Sequence, residues 1–470
     1  MKRIDASRRN FLRHAALTSV LGSGAPFALN LATMSAAHAQ STSDYRALVC
    51  IFLNGGNDHA NMVLPTDAGS WAAYAAARST PPQPILLPEL GTAGGVLPIV
   101  PSTAQAGRAF ALHPSMQPLQ ALFEAGRAAV VSNVGPLIEP ITKAQWRARS
   151  GRTPPQLFSH NDQTSIWQSY RPEGSRVGWG GRMGDLLAST NQYTNFTAIS
   201  ASGNAVFLAG ETTLQYQAGN GGAVQIGGLT GGLFGSTTAT NPLRAVITDD
   251  RANLFEKEHA RIVKRSIDAQ VALSTSMLPT TGLPAVPTFN GQNNNLARQL
   301  QTVARLIGGR TALGMRRQVF YVSLGGFDTH DNQTGNHATL MGMLAQAMAY
   351  FDQLMALPAI NAVNDVTLFT ASEFGRTLTS NGDGTDHGWG AHHLVSGGAV
   401  RGRDIYGVFP SIGLDNDDSV GSGRLIPKIS VDQYAGTLAR WFGLSDSQIT
   451  TIFPNIVNFG SARNLGFMNA

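Results

Sequence analysis

The residues best suited to chemistry crowd into one stretch. Between Thr370 and Gly398 the chain sets Glu373, Asp383, Asp386, His387, His392 and His393, with Arg376, on a glycine-rich loop between two apolar segments. Mixed oxygen and nitrogen donors of this kind favour a divalent cation, Zn or Mn ahead of Mg, with Ca open if the histidines stand aside. Two other stretches repeat the pattern of an apolar run, two glycines and then an acid. One ends in Asn54-Gly55-Gly56-Asn57-Asp58, the other in Gly325-Gly326-Phe327-Asp328-Thr329-His330. In an extended backbone the Asp328-x-His330 pair points both side chains the same way, as a shared cation requires. The expected ligands are therefore Asp58, Asp328, His330, Glu373, Asp386 and His387. For Asp58 a turn-forming aspartate is the competing reading.

A fourth stretch, Ser159-His160-Asn161-Asp162-Gln163, opens a helical pattern that continues through Ile166 and Tyr170. Ser159 suits either the helix N-cap or a nucleophile, and His160 either a ligand or an acid–base group. Arg376 suits an anion clamp or a salt bridge to a neighbouring carboxylate.

Positioning these groups calls for strands that end beside one another. Ala47–Leu53 is apolar without alternation, as a strand covered on both faces should be, and 128–134, 318–324 and 366–371 read the same way. In open α/β sheets, ligands collect beyond the carboxyl ends of such strands, which is where each acid-bearing turn falls. Helices are predicted over 118–125, from Ser159, within 249–277, over 295–307 and 336–357, and over 432–442. The segment 67–118 holds a predicted hairpin around Ile85 and Val96. Residues 201–294 begin with Gly, Thr, Ala and Gln almost without charge, and read as a loop-rich insertion that lies over the sheet as a lid or a partner-binding surface.

The N-terminus carries Arg8-Arg9 followed by Phe11-Leu12, a mildly apolar run and Ala37-His38-Ala39, the order of a twin-arginine export signal cleaved after Ala39. Removing 1–39 takes away Lys2, Arg3, Arg8, Arg9 and Arg13 against Asp5, and lowers the net charge from +5 to +1. The mature chain, 40–470, thus has no basic stripe for nucleic acid, and no later apolar run long enough for stable membrane insertion. The export machinery is the expected partner in transit, and the periplasm or exterior the destination. A single cysteine, Cys50, excludes disulfides and thiolate metal sites within one chain.

Taken in order, FLNGGND, SHNDQ, GGFDTH, SEFGRT and GTDHG resemble the family called domain of unknown function 1501, which looks related to the alkaline phosphatase and sulfatase superfamily. The resemblance implies a three-layer α/β/α sandwich of the alkaline phosphatase-like type, with Asp58, Asp328, His330, Glu373, Asp386 and His387 at ligand positions. Glu373-Phe374 stands where the superfamily often has Asp-His, which speaks against two metals. The absence of Cys-x-Pro-x-Arg speaks against a formylglycine sulfatase. Two functions follow: a metal-dependent hydrolase of small or polymeric phosphate or sulfate esters, using Ser159 or water as nucleophile, or a non-catalytic exported protein that keeps the fold and binds a partner.

Overall fold

Strand β1 (Arg46–Asn54) sends alternate side chains to opposite faces, and both faces are apolar, so it can lie only between two layers. In the structure, a computed structural model describing residues 45–469 apart from 106, 220, 225, 230–234, 237 and 239, it does so. Ala47, Val49, Ile51 and Leu53 pack into one core, Leu48, Cys50 and Phe52 into another. The first core is closed by helices α2 (Gln117–Glu124), α5 (Leu254–Ser276), α6 (Asn295–Gly308) and α7 (Gln333–Ala356). The second is closed by α3 (His160–Ser169), α4 (Trp179–Leu187) and α8 (Val431–Phe442). The three-layer α/β/α sandwich expected from the sequence is the architecture formed.

Numbered within the main sheet, the remaining strands are β2 (Ala128–Gly135), β3 (Ala198–Ser200), β4 (Tyr216–Gly219), β5 (Gly222–Ala223), β6 (Arg317–Gly325), β7 (Val366–Ala371), β8 (Ala391–Ser396), β9 (Ile405–Tyr406) and β10 (Ile429–Ser430). The order is β9-β2-β8-β7-β1-β6-β3-β4-β5, with β10 paired to β2. At the centre, β1 runs parallel to β6 and β7, with Asn54 level with Gly325 and Phe52 level with Ala371. Three strands therefore end side by side, and the loops carrying Asp58, Asp328 and Glu373 leave from one edge. Strand β8 returns antiparallel to β7, which brings the preceding loop, with His387, back to that edge.

The structure departs from expectation in two regions. Around Ile85 there is no strand, since Pro81, Pro82 and Pro84 lack ladder donors. Leu97–Ile99 and Val63–Pro65 instead flank Phe110–Leu112 in a small antiparallel sheet. Part of the predicted insertion is sheet: β4 pairs with β3 and β5 with β4, extending the main sheet at its edge. Among the methionines of α7, Met341, Met348 and Met355 are buried in the core and Met343 is half-buried. The export segment, residues 1–39, lies outside the described residues.

Candidate metal centre

At the edge where β1, β6 and β7 end, Asp328 is the hub. Its Oδ1 accepts from Arg376 Nη1 at 2.7 Å and lies 3.0 Å from His330 Nδ1 and 3.2 Å from His387 Nε2. Its Oδ2 lies 3.4 Å from His160 Nε2. Burial pushes this carboxyl up, but the hydrogen bond and charge of Arg376 outweigh that, and it is held below its ordinary value, ionised at neutral pH. The loop reaches this position because Gly55, at φ +118°, lets the backbone of Asp328 pass: a Cβ at Gly55 would stand 2.2 Å from the Asp328 nitrogen.

Both imidazoles are aimed from behind. Nδ1 of His387 lies 2.8 Å from the Phe158 carbonyl, which can only accept, so Nδ1 carries a proton and Nε2 is the nitrogen turned to Asp328. His160 Nδ1 lies 2.9 Å from Glu373 Oε1, and that oxygen also accepts from the Gly55 amide at 2.8 Å. The Glu373 hydrogen bond raises the His160 pKa, whereas burial lowers that of His387. An anchored Nδ1–H with a free Nε2 is how metal-ligating histidines are oriented. One donor atom each of His160, Asp328 and His387 lie within 4.8 Å of one another. Two donors on one ion of this class stand at most about 4.2 Å apart, so the set closes on a cation with small side-chain shifts.

The other expected residues fall around this trio. Asp58 is fully buried and turned elsewhere: Arg78 holds both its oxygens, and Gln333 Nε2 donates to Oδ2 at 2.5 Å. Burial would raise its pKa, but Arg78 takes it far below the carboxylate range. Asp58 still reaches the centre indirectly, since Gln333 Oε1 accepts from Thr385 Oγ1, which accepts from Arg376 Nε. Glu373 supports His160 and stands outside the trio. Asp386 is half-buried, accepts from Asn381 Nδ2 at 3.2 Å and also stands outside it. Of the two roles weighed for Ser159, the geometry provides the N-cap: its hydroxyl oxygen accepts from the Asp162 amide at 3.5 Å at the start of α3, while the hydroxyl donates to Asp162 Oδ2 at 2.8 Å. Arg376 is likewise the salt-bridge partner, fully buried with donors on Asp328, Gly55 O, Thr385 Oγ1 and Thr385 O.

Two residues of the site escaped the sequence reading. Phe158 sits at φ +73°, uncommon for an aromatic residue, and this turn delivers its carbonyl to His387. Arg424 donates Nε to the His387 carbonyl at 2.7 Å and stacks its guanidinium over Phe158, 5.7 Å from the ring centre. Among the described residues its Nη groups meet no carboxylate. No local pattern marked either one, because each acts across more than thirty residues of chain.

Clefts flank the trio. One, of about 380 Å3, is lined by Trp146, Phe158, His330, Asp386, His387 and Arg424. The other, of about 550 Å3, holds His160 and Glu373 among polar residues of α3.

Fold and centre together define an α/β sandwich with a His/Asp/His group at its strand ends. Residues 256–452 match the family model described as Protein of unknown function (DUF1501), the family that the motifs resemble, and the match takes in Asp328 and His387. No curated protein matches the chain. Among solved structures, Ps i-CgsB in complex with k-i-k-neocarrahexaose is similar at 10% identity and TM-score 0.36, covering 88% of this chain and 76% of its own. The lipoteichoic acid synthase LtaP from Listeria monocytogenes is similar at 7% and 0.33, covering 89% and 77%. A 2-O GAG sulfatase is similar at 9% and 0.29, covering 86% and 71%. Among the described residues no helix is long and apolar enough to cross a membrane.

Proposed function

We propose that the protein is an exported metal-dependent hydrolase of phosphate or sulfate esters, with one divalent ion, Zn or Mn, held by His160, Asp328 and His387. The observation that carries this reading is the paired aim of two anchored imidazoles at one ionised carboxylate beside open clefts. Three donors facing a cleft leave room for substrate, whereas a purely structural ion would have a closed shell, so catalysis is favoured over the non-catalytic reading. A bound ion supplies Lewis-acid charge to an ester oxygen and eases loss of a proton from water.

The chain's own groups do the rest. Glu373 and the Phe158 carbonyl fix the tautomers of His160 and His387, and Arg376 keeps Asp328 ionised and in place. His330, half-exposed in the cleft, is positioned to hold or pass a proton to the departing alcohol. Because the Ser159 hydroxyl is engaged by Asp162, water is the nucleophile this geometry favours.

The test is metal per chain in protein purified without chelator, followed by turnover of aryl phosphate and aryl sulfate esters with and without added Zn or Mn. Near-stoichiometric ion and metal-dependent turnover are expected, both lost in Asp328→Ala. Turnover of no ester by the metal-loaded protein would sink the hydrolase reading, and equal ion content in Asp328→Ala would sink the site.

A further inference from the structure

The two clefts differ in chemistry, and they meet at the His160–His387 pair, whose ring centres are 4.4 Å apart. On the His387 side the walls are aromatic and carry charge of both signs, Arg424 with Asp386. Trp146 and Phe158 stand edge to face at 6.4 Å, both half-buried, with the Arg424 guanidinium laid over Phe158. Arg424 is fixed through Nε and leaves its Nη groups to the cleft, which preorganises it for an anion. On the His160 side the walls are hydroxyl, amide and acid: Asn161, Thr164, Ser175 and Glu173 line the cleft from α3 and the turn after it. Each cleft lies in the range of about 300–1,000 Å3 that accommodates a small organic ligand.

From this asymmetry we infer that the substrate is a polysaccharide chain crossing the centre, with a ring on Trp146 and Phe158 whose anionic group meets Arg424, and an uncharged, hydroxyl-rich unit along α3. An aromatic face and a fixed guanidinium suit the apolar face of a sugar ring beside a charged substituent. Glu173 on the far side, and Asp386 in the near cleft, repel a chain with a charge on every unit, so nucleic acid fits poorly. Arg424 thus takes the anion-binding role that Arg376, with its donors committed to the protein, does not fill. The inference rests on the hydrolase reading for the place where the ester reacts, but its own readout is binding.

Dissociation constants for a size ladder of sulfated oligosaccharides, disaccharide to decasaccharide, are measured by calorimetry on protein purified without chelator. Unsulfated oligosaccharides and a single-stranded oligonucleotide of matched charge serve as controls. Affinity is expected to rise with length until both clefts are filled and then level off, with the controls binding weakly. Arg424→Gln should weaken the longer sulfated probes about tenfold, and Trp146→Leu by a similar factor. Asn161→Ala with Thr164→Val should weaken only probes long enough to pass His160. Unfolding temperatures equal to wild type verify that each variant folds, and the Asn161/Thr164 variant keeps the test open if Trp146→Leu does not. Affinity independent of length, indifference to Arg424→Gln, or tighter binding of the oligonucleotide would overturn the inference. Aryl ester turnover without ladder binding rejects the chain substrate and leaves the hydrolase standing; ladder binding without turnover does the reverse.

Discussion

Two groups of histidines in this protein look alike in sequence and differ in every physical respect. His160, His330 and His387 stand partly exposed around an ionised carboxylate, and the Nδ1 of each meets an oxygen acceptor. His59, His113, His337, His392 and His393 are buried behind them, packed on aromatic rings and on one another. Burial pushes His59 and His337 down to about 4 and His113 and His393 to about 3, and His392 falls as well, so all five are neutral at pH 7. His392 and His393, which follow His387 after Gly388 to Ala391, belong to β8 and face the core. What sets the partly exposed histidines apart from the buried ones is therefore the ionised carboxylate they face, and neighbourhood in the chain says little.

The largest test of this contrast is Asp328→Ala, which should take ion content from about one per chain to none and lower ester turnover by more than about a hundredfold, while leaving the fold intact. Inductively coupled plasma mass spectrometry and kinetics read the two effects. Arg78→Met should do the opposite. It strands the buried Asp58 charge, so denaturant unfolding should show a loss of about 3–5 kcal/mol, with ion content per folded chain unchanged. If that variant folds well but loses the ion, Asp58 belongs to the centre after all.

The buried imidazoles make a pH signature. Their folded pKa values lie below the ordinary 6.5, so their contribution to stability is whole above that value and is lost as pH falls from about 6.5 toward 4. Denaturant titrations should find about 2 kcal/mol lost per imidazole by pH 5. His337→Gln, which keeps a donor for Asn57 Oδ1, should flatten the slope by one group. A slope unchanged in that variant would mean the acid sensitivity arises elsewhere. The smallest effect expected is on ligand orientation: Glu373→Gln should weaken ion affinity about 10- to 100-fold without abolishing it. Complete loss would make Glu373 a ligand instead of the support for His160.

Much of this was legible in the residues. The bare apolar runs gave the central strands and the glycine pairs gave the turns at their ends; of the ligands expected there, Asp328 and His387 do come together, while His330 lies against Asp328 outside the trio. Ser159 at a helix start and Arg376 as a partner for a carboxylate were among the alternatives its residue type allowed. Arg424 and the Phe158 carbonyl were not legible, because a guanidinium stacked on a ring and a carbonyl in a left-handed turn have no spacing rule to betray them. Nor could the sequence tell that Arg78, inside the helix α1 (Ala68–Arg78), captures Asp58.

Local rules, strand periodicity and turn chemistry, were enough to place the central strands and the turns at their ends, because each depends only on near neighbours along the chain; the sandwich itself was what the family resemblance implied. The division of acids and histidines between centre and core was settled by the tertiary structure. Charge pairing and burial act through space, and a carboxylate is a ligand or half of an ion pair according to which cation the fold delivers to it.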